Sequence, residues 1–396
     1  MRLLAAPWLV SVVRPPLRRG CVAVAGGRVV WVGRLDASDR PVGPVEELGE
    51  GVLLPGLVNA HCHLELSALA GRIAGGRGFT AWVSDLVEAR ASLPPDLVDT
   101  AAAQAIATLE RTGTIAVGDV SNALAHLGQL GASRLDAVVF FEQLGWDPAK
   151  AGAIALAADA RLAALASGGL ARNVELRLAA HAPHSVSAAL FKQLLERGGP
   201  AALHLAESAD ETRFLRDGDG AWSQFLRARV GEIPFSPPGV SPVAYVDGLG
   251  VLKPGLVAAH CVHVDAADRA RLLRSGTAVV VCPRSNRSLG VGIPPVPELL
   301  ADGVLVALGT DSLASAPSLE LADDMVALQR EFPALDPAAV VRIATEAGAR
   351  ALGRPQLGTI APGMRGAFAF ARANGPLQDP LHFLVSGAAR FETVFA

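Results

Sequence analysis

The sequence predicts an α/β fold: a TIM-like (β/α)₈ barrel with a small β-sandwich formed by both ends of the chain. Apolar strands alternate with Ala/Leu-rich helical stretches about eight times over roughly 300 residues, which is typical of such a barrel. Polar, chemically active residues follow these strands, and short β-branched runs stand near both ends. The alternative is a doubly wound sheet. Such a sheet typically has a Gly-rich phosphate-binding turn after its first strand, and the sequence has none.

Composition limits the classes of function. The chain has 396 residues, of which 51% are hydrophobic and 18% charged, and its formal net charge is −3. These values indicate a compact globular protein and give no electrostatic reason to expect nucleic acid or an anionic membrane as a partner. Four scattered cysteines make no disulfide scaffold, so we expect a cytoplasmic protein. We also expect no membrane span, because no apolar run approaches the ~20 residues required.

The terminal segments predict the small β unit. Three β-branched runs, Leu9–Val13, Cys21–Ala25 and Arg28–Gly33, read as strands, and Gly26-Gly27 reads as a tight turn. Leu357–Ala371 is again strand-like. We therefore expect residues 1–53 and 359–396 to form a composite β-sandwich and residues 54–358 to form the barrel.

The central segment supplies the alternating strands and helices of the barrel. The apolar run Gly51–Val58 predicts its first strand. The elements that follow are a helix at Asp96–Gly113, strands at Thr114–Ser121 and Arg134–Gly145, a helix around Lys150–Ser167, a strand at Val174–Ser185, a helix at Ser187–Arg197, and strands at Ala201–Ser208, Gly255–His263, Thr277–Asn286 and Val304–Ser312.

Two histidines separated by one residue, His61 and His63, close the first strand. Side chains at i and i+2 of a strand point the same way, so both imidazoles can face one point while Cys62 points elsewhere. This arrangement offers half of a divalent-metal site. The alternative is that two polar residues merely close a strand.

Other polar residues fall at the ends of later strands. Because barrel chemistry sits at the carboxyl ends of the strands, the placement of seven of the nine histidines there indicates a functional site; His126 and His382 are the exceptions. In chain order the strand-end residues are His61, His63, Asp119, Glu142, His181, His184, His204, Glu207, His260, His263 and Asp311.

Four of these residues could complete the chemistry. His204 is a candidate third ligand, and Asp311 would make a three-His, one-Asp site with a position open for water. Glu207, three residues after His204, could reach a substrate, and His260 could relay a proton. The alternatives are a surface Glu that starts a helix and an Asp that caps one. We expect His263 to be structural.

The motifs PGLVNAHCH, HLAES, AAHCVH, CPRSN, GTDS and LGTIAPGMRGAFAF, in this order, resemble the metal-dependent amidohydrolase superfamily, and within it the cytosine/adenosine-type deaminases and related chlorohydrolases. The resemblance implies that His61, His63, His204 and Asp311 hold one divalent ion, Zn or Fe. It further implies that Glu207 is the acid/base, that His260 and Asp311 help deprotonate a metal-bound water, and that the resulting hydroxide attacks a ring carbon. One departure is Gly366-Ala367, where the family commonly has Ala-Asp.

A narrower resemblance, to the aminodeoxyfutalosine deaminases of menaquinone synthesis, rests on three short segments: NAHCHLELS, GFTAWV and FFEQLG. The resemblance implies attack at C6 of an aminated purine nucleoside with release of ammonia. Adenosine, S-adenosylhomocysteine, guanine, cytosine or a triazine remains an alternative substrate. A catalytically silent binding protein is the alternative from another class.

Substrate contacts are the least determined part of the site. His184 is a candidate ring or ribose contact, with the neighbour of a helix cap as its alternative. Arg90 could meet a substrate carboxylate, although an exposed helical Arg needs no function. Glu65, Glu142 and Asn286 are further candidates. The expected partner is a small-molecule substrate, and a homodimer is the assembly we keep open.

Overall fold

The computed structural model describes residues 1–232 and 235–396 of the chain. Numbered along the chain, its strands are β1 (Arg2–Leu9), β2 (Leu17–Ala25), β3 (Arg28–Arg34), β4 (Val45–Glu47), β5 (Gly51–Pro55), β6 (Leu57–Cys62), β7 (Thr114–Ser121), β8 (Asp136–Gln143), β9 (Val174–Ala180), β10 (Ala202–Leu205), β11 (Val257–His260), β12 (Ala278–Val281), β13 (Val306–Leu308), β14 (Ala367–Arg372) and β15 (Arg390–Phe395).

The helices lie mostly between the barrel strands. They are α1 (Phe79–Ala91), α2 (Pro95–Arg111), α3 (Leu127–Ala132), α4 (Ala151–Gly168), α5 (Ala188–Leu195), α6 (Ala209–Asp217), α7 (Ala221–Val230), α8 (Pro242–Gly248), α9 (Ala266–Ser275), α10 (Pro283–Leu289), α11 (Val296–Asp302), α12 (Leu321–Glu331), α13 (Pro337–Arg342), α14 (Gly348–Ala351) and α15 (Pro380–Val385). Short 3₁₀ turns at Leu64–Leu69 and Pro148–Lys150 and a π turn at Ile343–Ala347 complete the helical elements.

Eight parallel strands form the barrel. They make two four-stranded sheets, β6-β7-β8-β9 and β10-β11-β12-β13. Backbone hydrogen bonds connect the two sheets on both sides: Ala201 N and His204 N donate to carbonyls of the β9 segment at 2.8 Å, and Asp311 N donates to the His61 carbonyl at 3.1 Å. This architecture confirms the predicted barrel fold.

The two ends of the chain meet in one further sheet of seven strands, ordered β15-β14-β5-β1-β2-β3, with β4 beside β1. One face packs Leu4, Val22, Leu53, Phe368 and Phe370 into a buried cluster. The small β unit therefore draws on both termini, as the sequence indicates. The division at residues 53/54 and 358/359 stays a prediction, and β5 continues to Pro55.

The run Gly51–Val58 is two strands and not the one strand expected. β5 pairs with β1 and β14, whereas β6 pairs with β7 in the barrel. Gly56 lies between them, where a Cβ would come within 2.3 Å of the Ile115 side chain. The Ile115 side chain leaves no room for a Cβ at Gly56, which is why a glycine stands where the chain changes sheets.

The first predicted strand is also displaced. The structure has β1 at Arg2–Leu9, not at Leu9–Val13. Pro7, which argues against a strand interior, is accommodated because β1 changes partners around it. β4 pairs with Leu3–Ala5, and β5 pairs with Trp8 and Leu9.

One helical segment, Pro148–Gly168, is long and apolar enough to cross a membrane by length and composition, and 17% of its apolar window is buried. Its inner face packs Ala151 and Ala158 into two core clusters of the barrel. The sequence had predicted no such segment. A single helix of this kind is weak evidence for a membrane span, because helices of globular proteins pass the same test.

Candidate active site

The carboxyl ends of β6, β10, β11 and β13 bring His61, His63, His204, His260 and Asp311 to one end of the barrel. All five residues are at most 9% exposed. Cys62, between the two histidines, faces the other way into a cluster that contains Leu64 and Leu109. The alternation expected of a strand therefore holds.

Four side chains converge closely enough to share an ion. His63 Nε2 lies 3.1 Å from His204 Nε2, and Asp311 Oδ1 lies 3.4 Å from His63 Nε2 and 3.8 Å from His61 Nε2. Tetrahedral ligands at zinc–nitrogen distances would be about 3.3 Å apart. Among the described residues His61 Nε2 has no hydrogen-bond partner. This donor set fits a divalent ion, because an orphaned imidazole nitrogen is costly unless something binds it.

His61, His63 and His204 are in environments that favour the neutral imidazole, which is the form that binds a metal ion. Burial lowers the pKa of all three below the ordinary value, and neighbouring imidazoles lower the pKa of His61 and of His204 further. His204 Nδ1 lies 3.1 Å from the His181 carbonyl oxygen, which can accept a hydrogen bond from Nδ1–H. A proton on Nδ1 leaves the Nε2 lone pair free to face the common centre.

Asp311 is held by two hydroxyls. Its Oδ2 accepts hydrogen bonds from Ser285 Oγ at 2.5 Å and Ser315 Oγ at 2.8 Å. Burial alone would raise the pKa of Asp311, but the facing imidazoles of His63, His260 and His61 and the Ser285 hydroxyl lower it. Asp311 is therefore a carboxylate whose second oxygen, Oδ1, is left for the histidine cluster.

Glu207 and His260 form a pair beside the candidate ligand cluster of His61, His63, His204 and Asp311. Glu207 Oε1 lies 3.6 Å from His260 Nε2, and both side chains are at most 6% exposed. Burial raises the pKa of Glu207 to about 7. A carboxyl with this pKa can hold a proton near neutrality and release it, which is what a general acid requires.

His184 lies next to this pair. Its Nδ1 is 3.7 Å from Glu211 Oε2, and its ring meets Trp222 edge to face at 4.2 Å. Neither ring nitrogen of this 1% exposed residue hydrogen-bonds to the described part of the chain. A buried imidazole whose nitrogens have no protein partner is available to bind a substrate. The predicted contact of His184 with a ring or a ribose stays a prediction.

Glu65, Arg90 and Glu142 are joined to one another through Asn122. Arg90 donates to Glu65 Oε1 at 2.6 Å and to Asn122 Oδ1 at 3.1 Å. Asn122 Nδ2 in turn donates to Glu142 Oε2 at 2.9 Å. The guanidinium of Arg90 is therefore bonded within the protein, although 41% of its side chain is exposed. Glu142 Oε1 lies 3.5 Å from His204 Nδ1, and burial raises the pKa of Glu142 to about 8.

Asn286 lies on helix α10, one turn beyond the strand end expected for it. Its Oδ1 is 2.9 Å from His260 Nδ1, and both residues are 1% exposed. Asn286 thus contacts a predicted catalytic residue directly.

The backbone at the strand ends is strained. Ala206, His260 and Asp311 have φ values of 50°, 72° and 59°, in the left-handed region that non-glycine residues rarely adopt. Such residues persist where the surrounding structure holds them, and they cluster at functional sites. Here the strain turns the chain sharply just where the candidate catalytic side chains leave the strands.

Sequence reasoning missed three supporting residues, and it placed a fourth, His181, at a strand end without giving it a role. Ser285 and Ser315 hold Asp311, and Ser285 stands in the CPRSN motif beside Asn286. His181 groups with Glu142 and His204; its position at a strand end was a usable signal. His126, which lies off the strand ends, is buried and bonded to Asp119 at 2.6 Å. Asp119 stands at a predicted strand end, but a side chain's partners in space do not follow from its position in the sequence, so no signal marked His126 as its partner.

Comparisons with known proteins find a matching family and related chains. The model of the amidohydrolase family matches residues 52–374. The aminodeoxyfutalosine deaminase of Deinococcus radiodurans is 35% identical over 84% of this chain and 81% of its own length. The 5-methylthioadenosine/S-adenosylhomocysteine deaminase of Nitratidesulfovibrio vulgaris (strain Hildenborough) is 31% identical over 88% of this chain and 78% of its own. An adenosine deaminase from Xanthomonas campestris with bound zinc superposes with a TM-score of 0.78 at 26% identity, over 98% of this chain and 89% of its own.

Proposed function

Because the chain belongs to the amidohydrolase family and is therefore a hydrolase of C–N bonds in a metal-dependent family, we propose that it deaminates an aminated purine nucleoside. The observation that carries this proposal is that His61, His63 and His204 group together, with the Asp311 carboxylate 3.4–3.8 Å from two of them, beside a buried Glu–His pair. A metal centre with an acid and a base beside it is the minimum needed to replace an amine by a hydroxyl on a ring carbon.

We propose that His61, His63, His204 and Asp311 hold one divalent ion, zinc or iron. When bound there, the ion lowers the pKa of a water molecule toward neutrality. The donor set of three nitrogens and one oxygen supports zinc or iron over magnesium or calcium, which prefer all-oxygen sites. Zinc is favoured further by its presence in the adenosine deaminase relative.

Glu207 is the proposed general acid. Its protonated carboxyl gives a proton to the ring nitrogen next to the attacked carbon, N1 of an adenine, which makes C6 electrophilic. His260 Nε2, assisted by Asp311 Oδ1, receives one proton of the attacking water. After attack this proton passes to the amine, which leaves as ammonia, and the proton of the added hydroxyl returns to Glu207. The burial of Glu207 and its raised pKa support this division of roles.

Aminodeoxyfutalosine is the substrate we propose first, because the Deinococcus radiodurans relative has that activity in its name. Methylthioadenosine and S-adenosylhomocysteine follow, since relatives named for them are 31% identical. Both proposals share the 6-aminopurine nucleoside and differ in the group beyond the ribose. His184 and His181 are the proposed contacts to the nucleoside. A cytoplasmic location and a homodimer stay predictions.

The test is an ammonia-release screen of the purified, zinc-loaded protein against these nucleosides, adenosine, guanine, cytosine and a chloro-triazine. We expect the highest kcat/KM with aminodeoxyfutalosine. Turnover of guanine or the triazine with none of any purine nucleoside would overturn the proposal. Absence of any turnover, together with absence of a stoichiometric divalent ion, would favour a silent binding protein.

A further inference from the structure

We propose that Asn286 is a positioning residue that fixes the tautomer of His260, with the proton on Nδ1 and the lone pair on Nε2. The 2.9 Å contact between His260 Nδ1 and Asn286 Oδ1 carries this inference. The role of His260 as proton acceptor, and with it the choice between the two orientations of the Asn286 amide, rests on the proposed deaminase function; the tautomer can be measured without assuming that function.

The position of Asn286 is set by its own helix. Its backbone N–H donates to the Cys282 carbonyl at 3.0 Å, and its carbonyl accepts from Val291 N at 3.2 Å. Pro283 starts α10 directly after β12, so the amide is delivered beside the neighbouring strand end. A fixed amide can hold an imidazole that would otherwise rotate about its Cβ–Cγ bond.

Two orientations of the amide are conceivable. In the structure Oδ1 faces the ring, while Nδ2 is buried without a hydrogen-bond partner among the described residues. With Oδ1 toward the ring, His260 donates from Nδ1, and this bond survives whether Nε2 is bare or protonated. With Nδ2 toward the ring, Nδ1 would have to accept, which would place the proton on Nε2 and abolish the base. The Oδ1 orientation is therefore the one that persists through a cycle in which Nε2 gains and loses a proton.

The other end of the imidazole is left free for chemistry. His260 Nε2 is buried and has no hydrogen-bond partner in the described ranges. It faces Glu207 Oε1 at 3.6 Å and shares a group of potential ligand atoms with His61 and Asp311. His260 also has a left-handed backbone, with φ of 72°, so the side-chain contact to Asn286 adds a constraint where the main chain is strained.

The direct test is ¹⁵N NMR of histidine-labelled holoenzyme without substrate, in which protonated and bare ring nitrogens resonate far apart. The His260 signals are assigned by their loss in His260→Gln. We expect the Nδ1–H tautomer in the wild-type protein. An Nε2–H tautomer would overturn the inference without bearing on whether the enzyme is a deaminase.

Kinetics of two variants give the second test. Asn286→Leu keeps the size but removes the acceptor, and we expect kcat to fall about 10²-fold with little change in KM or bound metal. Asn286→Asp keeps the acceptor oxygen and should restore at least a tenth of wild-type kcat. A rise in KM with unchanged kcat in Asn286→Leu would make Asn286 a substrate contact instead, and equal loss in both variants would refute the acceptor role.

A histidine outside the barrel strands provides the control. His382 is exposed, and its backbone N–H donates to Asp379 Oδ1 at 3.0 Å. His382→Gln should leave kcat and the His260 tautomer unchanged. If Asn286→Leu does not fold, the wild-type spectrum still decides the question.

Discussion

The Glu207 carboxyl is buried beside His260, and burial raises its pKa to about 7. As a general acid it must be protonated before the ring nitrogen is attacked. Below pH 7 most molecules carry this proton, and as pH rises through 7 it is lost. We therefore expect kcat/KM to fall up to tenfold per pH unit above pH 7, measured in an ammonia-release assay from pH 5.5 to 9. A rate that stays level to pH 9 would contradict this assignment.

Replacement of the acid should separate its role from metal binding. Glu207→Gln cannot donate the proton, so we expect kcat to fall about 10²- to 10⁴-fold while the metal content, measured by elemental analysis, stays the same. Glu196→Gln, an exposed carboxyl hydrogen-bonded to Gln193, is the matched control. Full activity in Glu207→Gln would refute the role of Glu207.

The buried pair His126–Asp119 makes a prediction about stability. Asp119 Oδ1 also accepts a hydrogen bond at 2.8 Å from the backbone N–H of Leu64, the residue that follows His63. Burial lowers the pKa of His126, but the Asp119 carboxylate outweighs it and the net shift is upward. His126→Gln would leave a buried carboxylate without its charged partner, so we expect a loss of about 3 kcal/mol in the free energy of unfolding by urea.

The same pair has a defined pH dependence. The pKa of His126 is higher in the folded than in the unfolded protein. Its contribution to the free energy of unfolding is therefore fully present below about pH 6.5, and it is lost as pH rises through the pKa of the folded state. Urea unfolding at pH 6 and pH 9 should show this loss in the wild type and not in His126→Gln. His382→Gln, on the exposed side of α15, should resemble the wild type at both pH values.

At the scale of elements, the junction of β6 with β13 is packed without spare room. A Cβ on Gly309 would lie 2.7 Å from the His61 carbonyl oxygen and 2.9 Å from the His61 Cβ. We expect Gly309→Ala to displace His61 and to weaken zinc binding at least tenfold, measured by chelator competition. The overpacking should also cost about 1–3 kcal/mol in stability.

A glycine with open space around it is the control for this substitution. A Cβ on Gly152 in helix α4 would meet nothing within 4 Å, so Gly152→Ala should bind zinc normally and gain about 0.5–1 kcal/mol from helix propensity. Equal zinc affinity in both variants would show that the contact at Gly309 does not support His61.

At the scale of the whole molecule, the ligand cluster joins strands from both four-stranded sheets of the barrel. A metal that binds the native state alone stabilises it by mass action, about 4 kcal/mol when the free ion is at a thousand times its dissociation constant. We expect chelation to lower the melting temperature by several degrees, and re-addition of zinc to restore it. Asp311→Ala should show a much smaller response to the chelator.

The barrel and the ligand cluster were predictable because strand ends of a parallel barrel meet at one place, so residues far apart in sequence such as His61 and Asp311 had to converge. The confirmed parts are the barrel fold and the family. The break at Gly56 was not predictable, because it arises from contact with Ile115 across strands. Likewise the bonding of Arg90 to Glu65 depends on side-chain directions that a strand and helix pattern does not contain.

The seven-stranded sheet has a consequence for how the protein is made. β5, which leads directly into the strand of His61, lies between β1 from the start of the chain and β14 from near its end. Arg2 even donates a hydrogen bond to the Phe395 carbonyl. During synthesis, more than three hundred further residues must therefore be added after β5 before its second neighbour, β14, leaves the ribosome. Contacts between residues so far apart in sequence form slowly. The strand that carries His61 and His63 is therefore synthesised early, but the sheet that holds its N-terminal end is completed late.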